Sequence, residues 1–545
     1  MKLISIDCET EEFSKDITPK NAQILGLAVG YDKDLAVYEK DPSRWQALMQ
    51  ADKAIYHYAT FDIMKLKQQK IVLPESFEDT KIASHLLNEN TSNHLKDLAR
   101  DILHKDVVKY ADVDKSDEAA FNQYACNDAR WTYELWEKFE SQLNKEGLEK
   151  VYALEKALVK VVHHMENSGM LIDQVKLQEF KLKVKEEQEL RKLRLFELAG
   201  GEFEYTSPKQ AGEFLYGKLG LKCPKKTPTG RLSTDRESLI NLHHPISDAL
   251  LACREVDKID NAFASKYGDY IENDGRIRCE YNPLGTVTGR FSVRNPNQQQ
   301  VSSKSKLGKV FRDCFIAAPG KKLVIADNSQ MELRMLAHYS QDPIMLEAYQ
   351  KNIDLHTLTA QSIFNTQSPT TEQRNISKII NFGIVYGLSS HGLYARLPGF
   401  GIEGFTEQNC SDFIDRYFDK HKKIRAFLNQ VKILVTHRGW VKTLYGRRRR
   451  LKAESNREIR QAGNFIIQGS SADLHKQALV NIHKDLPKDC AIIGVIHDEI
   501  IVEAPEELSL GVKELLDTYM RQTPKGFTVP MMVECKIVDC WGQAK

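Results

Sequence analysis

Two short apolar segments, far apart in the chain, each lead directly into acidic residues. KLVIA at 322–326 is followed by Asp327, and AIIGVI at 491–496 is followed by His497, Asp498 and Glu499. A short apolar run bounded by turn residues predicts a buried strand, and most of the chain between the two runs has a helical pattern. We therefore expect both segments to lie in one sheet, although they are distant in sequence.

The residues after these strands offer carboxylates at two turns. Asp327 precedes a helix expected to begin around Met331, and AIIGVIHDEIIVEAP is typical of a hairpin with the acidic residues at its tip. Taken alone, Asp327 is also explained as a helix cap, and His-Asp-Glu as an exposed turn.

The segment QRNISKIINFGIVYG at 373–387 has a four-residue spacing of unusual side chains. On a helix, one stripe carries two cations followed by two aromatic rings, and the opposite stripe carries isoleucines. The residues are Arg374, Lys378, Phe382 and Tyr386 on one side and Ile376, Ile380 and Ile384 on the other. The first stripe suits a ligand with phosphates at one end and a flat ring at the other, such as a nucleoside triphosphate. The alternative is a surface helix with solvated cations and core aromatics.

The first part of the chain is typical of an α/β domain that ends near residue 145. Apolar strands (KLISID, ILGLAVGYD, KAIYHY) precede a long helical pattern that contains YACND. Asp7 and Glu9 lie two apart on a strand and therefore face the same side, while Tyr124 and Asp128 share a helix face. With Asp62, these residues supply oxygen ligands of the kind that Mg²⁺ and Mn²⁺ prefer.

Composition limits the other possibilities. Across 545 residues, 77 Lys and Arg nearly balance 75 Asp and Glu, so contact with nucleic acid would need local basic surfaces. No apolar stretch is long enough for a membrane span, and the N-terminus has no secretory pattern, which favours a cytoplasmic protein without membrane contact. Ten cysteines without a C-x-x-C pair indicate reduced thiols.

Several motifs now carry a family resemblance. DCE at 7–9, FD at 61–62 and YACND at 124–128 resemble the three motifs of DEDD-type 3′→5′ exonucleases of the tyrosine-containing branch. DNSQMELR, RNISKIINFGIVYG and IHDE resemble, in order, motifs A, B and C of family A DNA polymerases. SPKQAGEFL, TVTGRFSVRNPNQ, DLHTLTA and NREIRQAGNFIIQGSSAD extend the likeness through nearly the whole chain.

The resemblance implies an α/β exonuclease domain with an RNase H-like mixed sheet, followed by an α+β right-hand polymerase domain. We expect the exonuclease domain at 1–148 and the polymerase domain at 149–545. Within the latter, we expect the thumb and connecting helices at about 149–282, the palm at 283–340 and 441–545, and the fingers at 341–440.

By the same resemblance, each active site would hold two Mg²⁺ ions, for which Mn²⁺ is a substitute. Asp7, Glu9, Asp62 and Asp128 would bind the ions of the exonuclease site, and Tyr124 would orient the attacking water. In the polymerase site the ligands would be Asp327, Asp498 and the backbone carbonyl of Asn328. Glu499 joins Asp327, Asp498, Arg374 and Lys378 in the implied catalytic set.

The resemblance also assigns the contacts with substrates. Arg374, Lys378 and His356 would bind the triphosphate, Phe382 would pack on the base and sugar, and Tyr386 would border the templating base. Glu332 would crowd the sugar 2′ position, and Gln330 completes the nucleotide-binding set. Primer–template contacts are expected from Arg290, Asn464, Gln468, His497 and Arg460. GRRRRL at 446–451 is either a further phosphate contact or a solvated basic loop.

These features together predict a template-directed DNA polymerase with a proofreading exonuclease, acting on primer–template DNA, dNTPs and a single-stranded DNA 3′ end. The alternatives are a degradative exonuclease whose second domain only binds nucleic acid, and a reverse transcriptase with the same motifs. We expect no 5′-nuclease domain before Asp7, which favours a replicative enzyme, with a bacteriophage as one source; accessory replication proteins are left open. Asn328 stands where the family usually has tyrosine, and Phe382 predicts poor use of dideoxynucleotides.

Overall fold

The computed structural model describes residues 2–14, 17, 20–302 and 305–544. The chain divides into two compact units. The first unit comprises residues 1–167, 281–292 and 430–485, and the second comprises residues 168–280, 293–429 and 486–545.

The strands and helices are labelled in chain order. The strands are β1 Leu3–Thr10, β2 Ile24–Gly30, β3 Ala36–Glu39, β4 Lys53–Tyr56, β5 Ser76–Asp79, β6 Met170–Ile172, β7 Arg276–Ile277, β8 Glu280–Asn282, β9 Ser292–Arg294, β10 Phe315–Ile316, β11 Lys321–Asn328, β12 Trp440–Lys442, β13 Arg448–Arg450, β14 Ala491–Ile496, β15 Glu499–Pro505 and β16 Val533–Val538. The α-helices are α1 Pro42–Leu48, α2 Ala59–Gln68, α3 Thr80–Leu87, α4 Leu95–Leu103, α5 Glu118–Glu146, α6 Glu149–Ser168, α7 Gln174–Ala199, α8 Pro208–Gly212, α9 Arg236–Ile240, α10 Pro245–Ile259, α11 Lys306–Arg312, α12 Met331–Ser340, α13 Pro343–Gln350, α14 Leu355–Phe364, α15 Thr371–Val385, α16 Ser390–Tyr394, α17 Glu407–Lys420, α18 Lys422–Arg438, α19 Asn456–Asp485 and α20 Ser509–Arg521.

The first unit is built on a five-stranded mixed sheet, as predicted, with the order β3-β2-β1-β4-β5. β1 pairs antiparallel with β2 and parallel with β4, and β5 continues the parallel part. Ile4 and Ile6 of β1 are fully buried, because their alternate positions face the core between sheet and helices.

The long helical pattern of the first domain forms α5. Asp117 caps this helix by accepting hydrogen bonds from the backbone N–H groups of Ala119 and Ala120. The helix ends at Gly147, whose φ of 65° is the left-handed conformation that glycine adopts without strain. Leu135 lies two turns after Asp128 and is buried on the same face of α5. This face packs against the sheet, so the positions of Tyr124 and Asp128 are fixed.

The second unit contains the four-stranded antiparallel sheet β14-β15-β11-β16. The two distant apolar runs therefore lie in one sheet, as predicted, but β15 lies between them. Helices α12 to α17 occupy most of the chain from 331 to 420, in agreement with the helical pattern. Among the described residues, no helix is both long and apolar enough to cross a membrane.

Candidate active sites

Three carboxylates form a cluster at the end of β1 in the first unit. Asp7 and Glu9 project from alternate positions of the strand, and Asp128 projects from α5. Each contributes an oxygen atom, and these atoms lie within 4.8 Å of one another. The predicted common face of Asp7 and Glu9 is therefore present, and Asp128 shares it.

Burial and mutual repulsion disfavour the ionised forms of these carboxylates. Burial, followed by the charge of Asp128, raises the pKa of Asp7 from its ordinary value to about 7. Burial and the charge of Asp7 raise the pKa of Glu9 to about 9. Oε1 of Glu9 is also buried without a hydrogen-bond partner. An uncompensated buried oxygen beside two other carboxylates fits a cation with oxygen ligands.

Asp62 lies beside the cluster on α2. Its Oδ1 accepts a hydrogen bond of 3.0 Å from the backbone N–H of Cys8. Burial, followed by the charge of Asp7, raises the pKa of Asp62 well above its ordinary value. Among the described residues, the three-carboxylate group does not include Asp62, so its role as a fourth metal ligand stays a prediction.

Lys96 is a member of this site that the sequence did not reveal. Its ammonium on α4 pairs with Oδ1 of Asp128 and lies 3.7 Å from the centre of the Tyr124 ring. The lysine thus contacts both residues of the YACND motif that were assigned a role. Nothing in the spacing of NHLKDLAR distinguishes Lys96 from an ordinary solvated lysine at the start of a helix.

The two acidic turns of the second unit meet at one edge of its sheet. His497 and Asp498 form the turn between β14 and β15, as the hairpin pattern predicted, and Asp327 pairs in register with Glu499. The backbone N–H of Asn328 donates to the carbonyl of Asp498 over 3.4 Å. Asp327 and Asp498 both line a cavity of about 690 Å³.

Glu499 is the first residue of β15 and follows Asp498 directly. It is buried, accepts a hydrogen bond of 2.6 Å from Nε1 of Trp541 and lies 3.7 Å from Nη1 of Arg312. Because Glu499 is the in-register partner of Asp327, the two side chains face the same side of the sheet. Arg312, which sequence reasoning missed, does line the cavity. The catalytic role of Glu499 stays a prediction.

The amphipathic segment forms helix α15, and its two stripes face as predicted. Ile376, Ile380 and Ile384 are buried. Phe382 and Tyr386 line the cavity that contains Asp327 and Asp498. Thr370 and Gln373 form a capping box at the start of α15, which fixes where the helix begins.

The N-terminal half of the same stripe carries the two cations. Lys378 is exposed, and Arg374 forms an ion pair with Asp354. Neither cation is among the residues that line the cavity. Both lie on the helix face that carries Phe382, at the end farther from Tyr386.

Two tyrosine hydroxyls, from Tyr386 after α15 and from Tyr349 of α13, donate to residues at the start of α12. Tyr386 donates from its hydroxyl to Oε2 of Glu332 over 2.5 Å. Gln330 has a φ of 53° and accepts a 3.0 Å hydrogen bond from the hydroxyl of Tyr349. Glu332 and Gln330 both line the cavity.

His356 is buried beneath the cationic stripe. Its Nδ1 lies 3.0 Å from Nδ2 of Asn381, and its ring centre lies 5.7 Å from that of Phe382. Burial lowers the pKa of His356 to about 4. At neutral pH this side chain is therefore uncharged.

The predicted DNA contacts fall in both units. His497 lies at the hairpin tip of the second unit, whereas the other four lie in the first unit: Arg290, Arg460, Asn464 and Gln468. Asn464 and Gln468 are one turn apart on α19 and interact through Nδ2 and Oε1 over 3.5 Å. Their contact with DNA stays a prediction.

The basic run at 446–451 is neither a solvated loop nor an open phosphate site. Every arginine in it is paired with an acid inside the first unit. Arg447 binds Glu155 and Asp473, Arg448 binds Glu146, Arg449 binds Glu89, and Arg450 binds Glu89 and Glu146. Lys476 joins the buried end of this network by donating to Glu155 over 2.5 Å.

Known proteins share both halves of this arrangement. Residues 1–144 match the family model described as 3′-5′ exonuclease, and residues 174–543 match that of DNA polymerase family A. The chain is 32% identical over 527 residues to DNA polymerase I of Chloroflexus aurantiacus, covering 89% of this chain and 54% of that protein. It is 34% identical over 426 residues to the thermostable DNA polymerase I of Thermus aquaticus, covering 75% of this chain and 50% of that protein.

A solved structure has the same fold. The polymerase domain of Pol1 from M. smegmatis, in complex with DNA primer-template and dNTP, superposes with a TM-score of 0.88 at 26% identity, covering 99% of this chain and 96% of that one. The chain spans about half the length of the curated relatives it matches. Its two acidic sites thus lie in an exonuclease domain followed by a polymerase domain, and the chain belongs to DNA polymerase family A.

Proposed function

We propose that this chain is a template-directed DNA polymerase that extends the 3′ end of a primer and removes mispaired ends with its own 3′→5′ exonuclease. The observation that carries the proposal is the cavity of the second unit. There Asp327 and Asp498 lie in the same cavity wall as the aromatic end of α15. Carboxylates that can hold metal ions and a surface that can bind a nucleotide are both needed for nucleotidyl transfer.

The donor atoms of the cavity suit Mg²⁺ or Mn²⁺. Besides the two aspartates, Asn328 lines the cavity, and its backbone carbonyl is the expected third ligand. We propose two ions per active site, held by Asp327, Asp498 and Asn328 in the polymerase and by Asp7, Glu9, Asp128 and Asp62 in the exonuclease. Such ions stabilise negative charge on the attacking and leaving oxygens of a phosphodiester.

The protein groups around the cavity would bind and orient the substrates. Arg374 and Lys378 would hold the triphosphate, with a neutral His356 as a hydrogen-bond donor. Phe382 would stack on the base. Tyr386, held by Glu332, would border the templating position, and Glu332 would crowd the sugar 2′ position.

In the first unit, the side chains would hold a single-stranded DNA 3′ end for hydrolysis. Tyr124 would orient the attacking water, and Lys96 would balance the negative charge beside Asp128. Arg290, Arg460, Asn464, Gln468 and His497 would contact the primer–template. The cytoplasmic location stays a prediction from the sequence.

The test uses a 5′-labelled primer with a mismatched 3′ end on a longer DNA template, with Mg²⁺ and with or without dNTPs. We expect shortening without dNTPs, and trimming followed by full extension with them. Asp7→Ala should remove only trimming, and Asp327→Ala only extension. Glu140→Ala and Glu347→Ala, which change exposed glutamates of the two units, are the matched controls.

Two outcomes would overturn the proposal. If the primer is shortened both with and without dNTPs and is never extended, the chain is a degradative exonuclease whose second domain only binds nucleic acid. Extension without trimming would refute the proofreading activity. An RNA template of the same sequence, run in parallel, separates a DNA polymerase from a reverse transcriptase, since the two templates differ in groove shape and 2′-hydroxyl groups.

A further inference from the structure

One carboxylate in the second unit connects the two elements that carry the phosphate-binding candidates. Asp354 is the N-cap of α14: its Oδ1 accepts from the backbone N–H of His356, and its Oδ2 accepts from the backbone N–H of Thr357. The Thr357 hydroxyl adds a 2.5 Å hydrogen bond to Oδ2. Three donors of one helix turn thus fix the orientation of this carboxylate.

The same carboxylate holds Arg374 across from α14. Nε of Arg374 donates to Oδ2 over 2.7 Å, and Nη2 donates to Oδ1 over 3.3 Å. Partial burial opposes the ionised form, but the hydrogen bonds from Arg374 and Thr357 hold the pKa of Asp354 at about 2. Asp354 is therefore charged at any pH at which the enzyme is assayed.

The geometry leaves one edge of the guanidinium available to a ligand. Arginine has five N–H groups, and Asp354 takes two of them along the Nε/Nη2 edge. In the described part of the chain, the remaining N–H groups of Arg374 donate to no other residue. A phosphate can therefore bind the Nη1 side while Asp354 keeps the opposite edge.

His356 is tied to the same assembly. Its backbone N–H is one of the bonds that Asp354 accepts, and its ring contacts α15 through Asn381. Moving Asp354 would therefore affect both the first turn of α14 and the side chain of Arg374.

We propose that Asp354 is a positioning residue that fixes the Arg374 guanidinium for the triphosphate of an incoming nucleotide; this inference rests on the proposed polymerase function. An arginine that is already anchored has lost its rotamer freedom before the ligand arrives. An unanchored arginine loses that freedom on binding and binds the triphosphate more weakly. The charge of Asp354 opposes the anionic ligand, and we infer that the gain from anchoring exceeds that repulsion.

The experiment measures single-nucleotide incorporation on a matched primer–template with the full chain. Asp354→Asn keeps an acceptor at the helix cap but removes the charge that binds Arg374. We expect the KM for the dNTP to rise about three- to tenfold, because one long side chain is released, while kcat changes by less than about twofold. Glu347→Gln, whose exposed carboxylate pairs with Lys351, should leave KM unchanged.

A double-mutant cycle tests whether the effect passes through Arg374. In an Arg374→Ala background, Asp354→Asn should cause no further rise in KM. Trimming of a mismatched end by the same variants reports whether the first unit is still folded, and an unchanged kcat for Asp354→Asn reports the same of the second unit.

The outcomes separate the two proposals. If the wild-type chain incorporates no nucleotide, the proposed function fails and this inference fails with it. If it incorporates nucleotide but Asp354→Asn leaves KM unchanged or lowers it, only the positioning role is refuted. An equal rise in KM with and without Arg374 would also refute it, because Asp354 would then act on another group.

Discussion

Glu9→Gln should change how the stability of the metal-free protein depends on pH. Burial and the charges of Asp7 and Asp128 raise the pKa of Glu9 from 4.5 to about 9, with Lys96 acting in the opposite direction. Below pH 4.5 both the folded and the unfolded chain carry the Glu9 proton. Between the two pKa values the unfolded chain releases that proton and the folded chain keeps it, so folding stability falls as pH rises.

The size of this effect follows from the raised pKa. Each pH unit within this window costs about 1.4 kcal/mol, so Glu9 removes about 3 kcal/mol between pH 6 and pH 8. Glutamine has no proton to exchange, and the variant should lose that much less. Metal binding requires the ionised carboxylate, so Mg²⁺ should restore stability to the wild type more at pH 8 than at pH 6.

The assay is urea unfolding of the full chain in EDTA at several pH values, followed by tryptophan fluorescence. Trp45, Trp131 and Trp136 are buried in the core of the first unit and report on it. Glu140→Gln, a change on the exposed face of α5, is the control. Equal losses of stability from pH 6 to pH 8 in Glu9→Gln and wild type would refute the reasoning that Glu9 is protonated in the metal-free fold.

Three further changes probe other parts of the molecule. Lys96→Met should slow trimming of a mismatched end at least about tenfold, since the cation that pairs with Asp128 and packs on Tyr124 is removed, and should leave primer extension unchanged; equal loss of both activities would indicate a folding defect. Phe382→Tyr should raise the ratio of dideoxynucleotide to deoxynucleotide incorporation in a competition assay, and an unchanged ratio would refute the assignment of this helix face. Glu155→Gln leaves two buried cations with one acid fewer and should cost about 3 kcal/mol of unfolding free energy in urea; a cost below about 1 kcal/mol would mean that water reaches the network.

Local patterns were enough to predict the residues that depend on short-range geometry. Asp7 and Glu9 share a face because strand side chains alternate, and α15 buries its isoleucines because they recur at helical spacing. The contacts of Glu499 could not be predicted in this way. Its neighbour Asp498 lines the cavity, whereas Glu499 accepts a hydrogen bond from Trp541, a residue that is distant in sequence.

These patterns did not predict which side chains of different helices and strands come into contact. Lys96 and Asp128 come together only because α4 packs against α5, and neither segment has a spacing that signals the other. The burial of Asp62 against the backbone of Cys8 likewise depends on how α2 meets β1. Composition and periodicity describe one element at a time and cannot supply such pairs.

The basic run at 446–451 shows that a cluster of arginines in the sequence does not by itself predict a surface that binds phosphates. Arg447 is 3% exposed, and a guanidinium can be desolvated to that extent only when acids compensate it. The acids come from α6 and α19, so the arginine joins both helices to the loop before β13. Because α19 also carries Asn464 and Gln468, the network holds in place the helix that we expect to contact the primer–template. The run therefore stabilises the position of that helix, and its own cations are paired with acids.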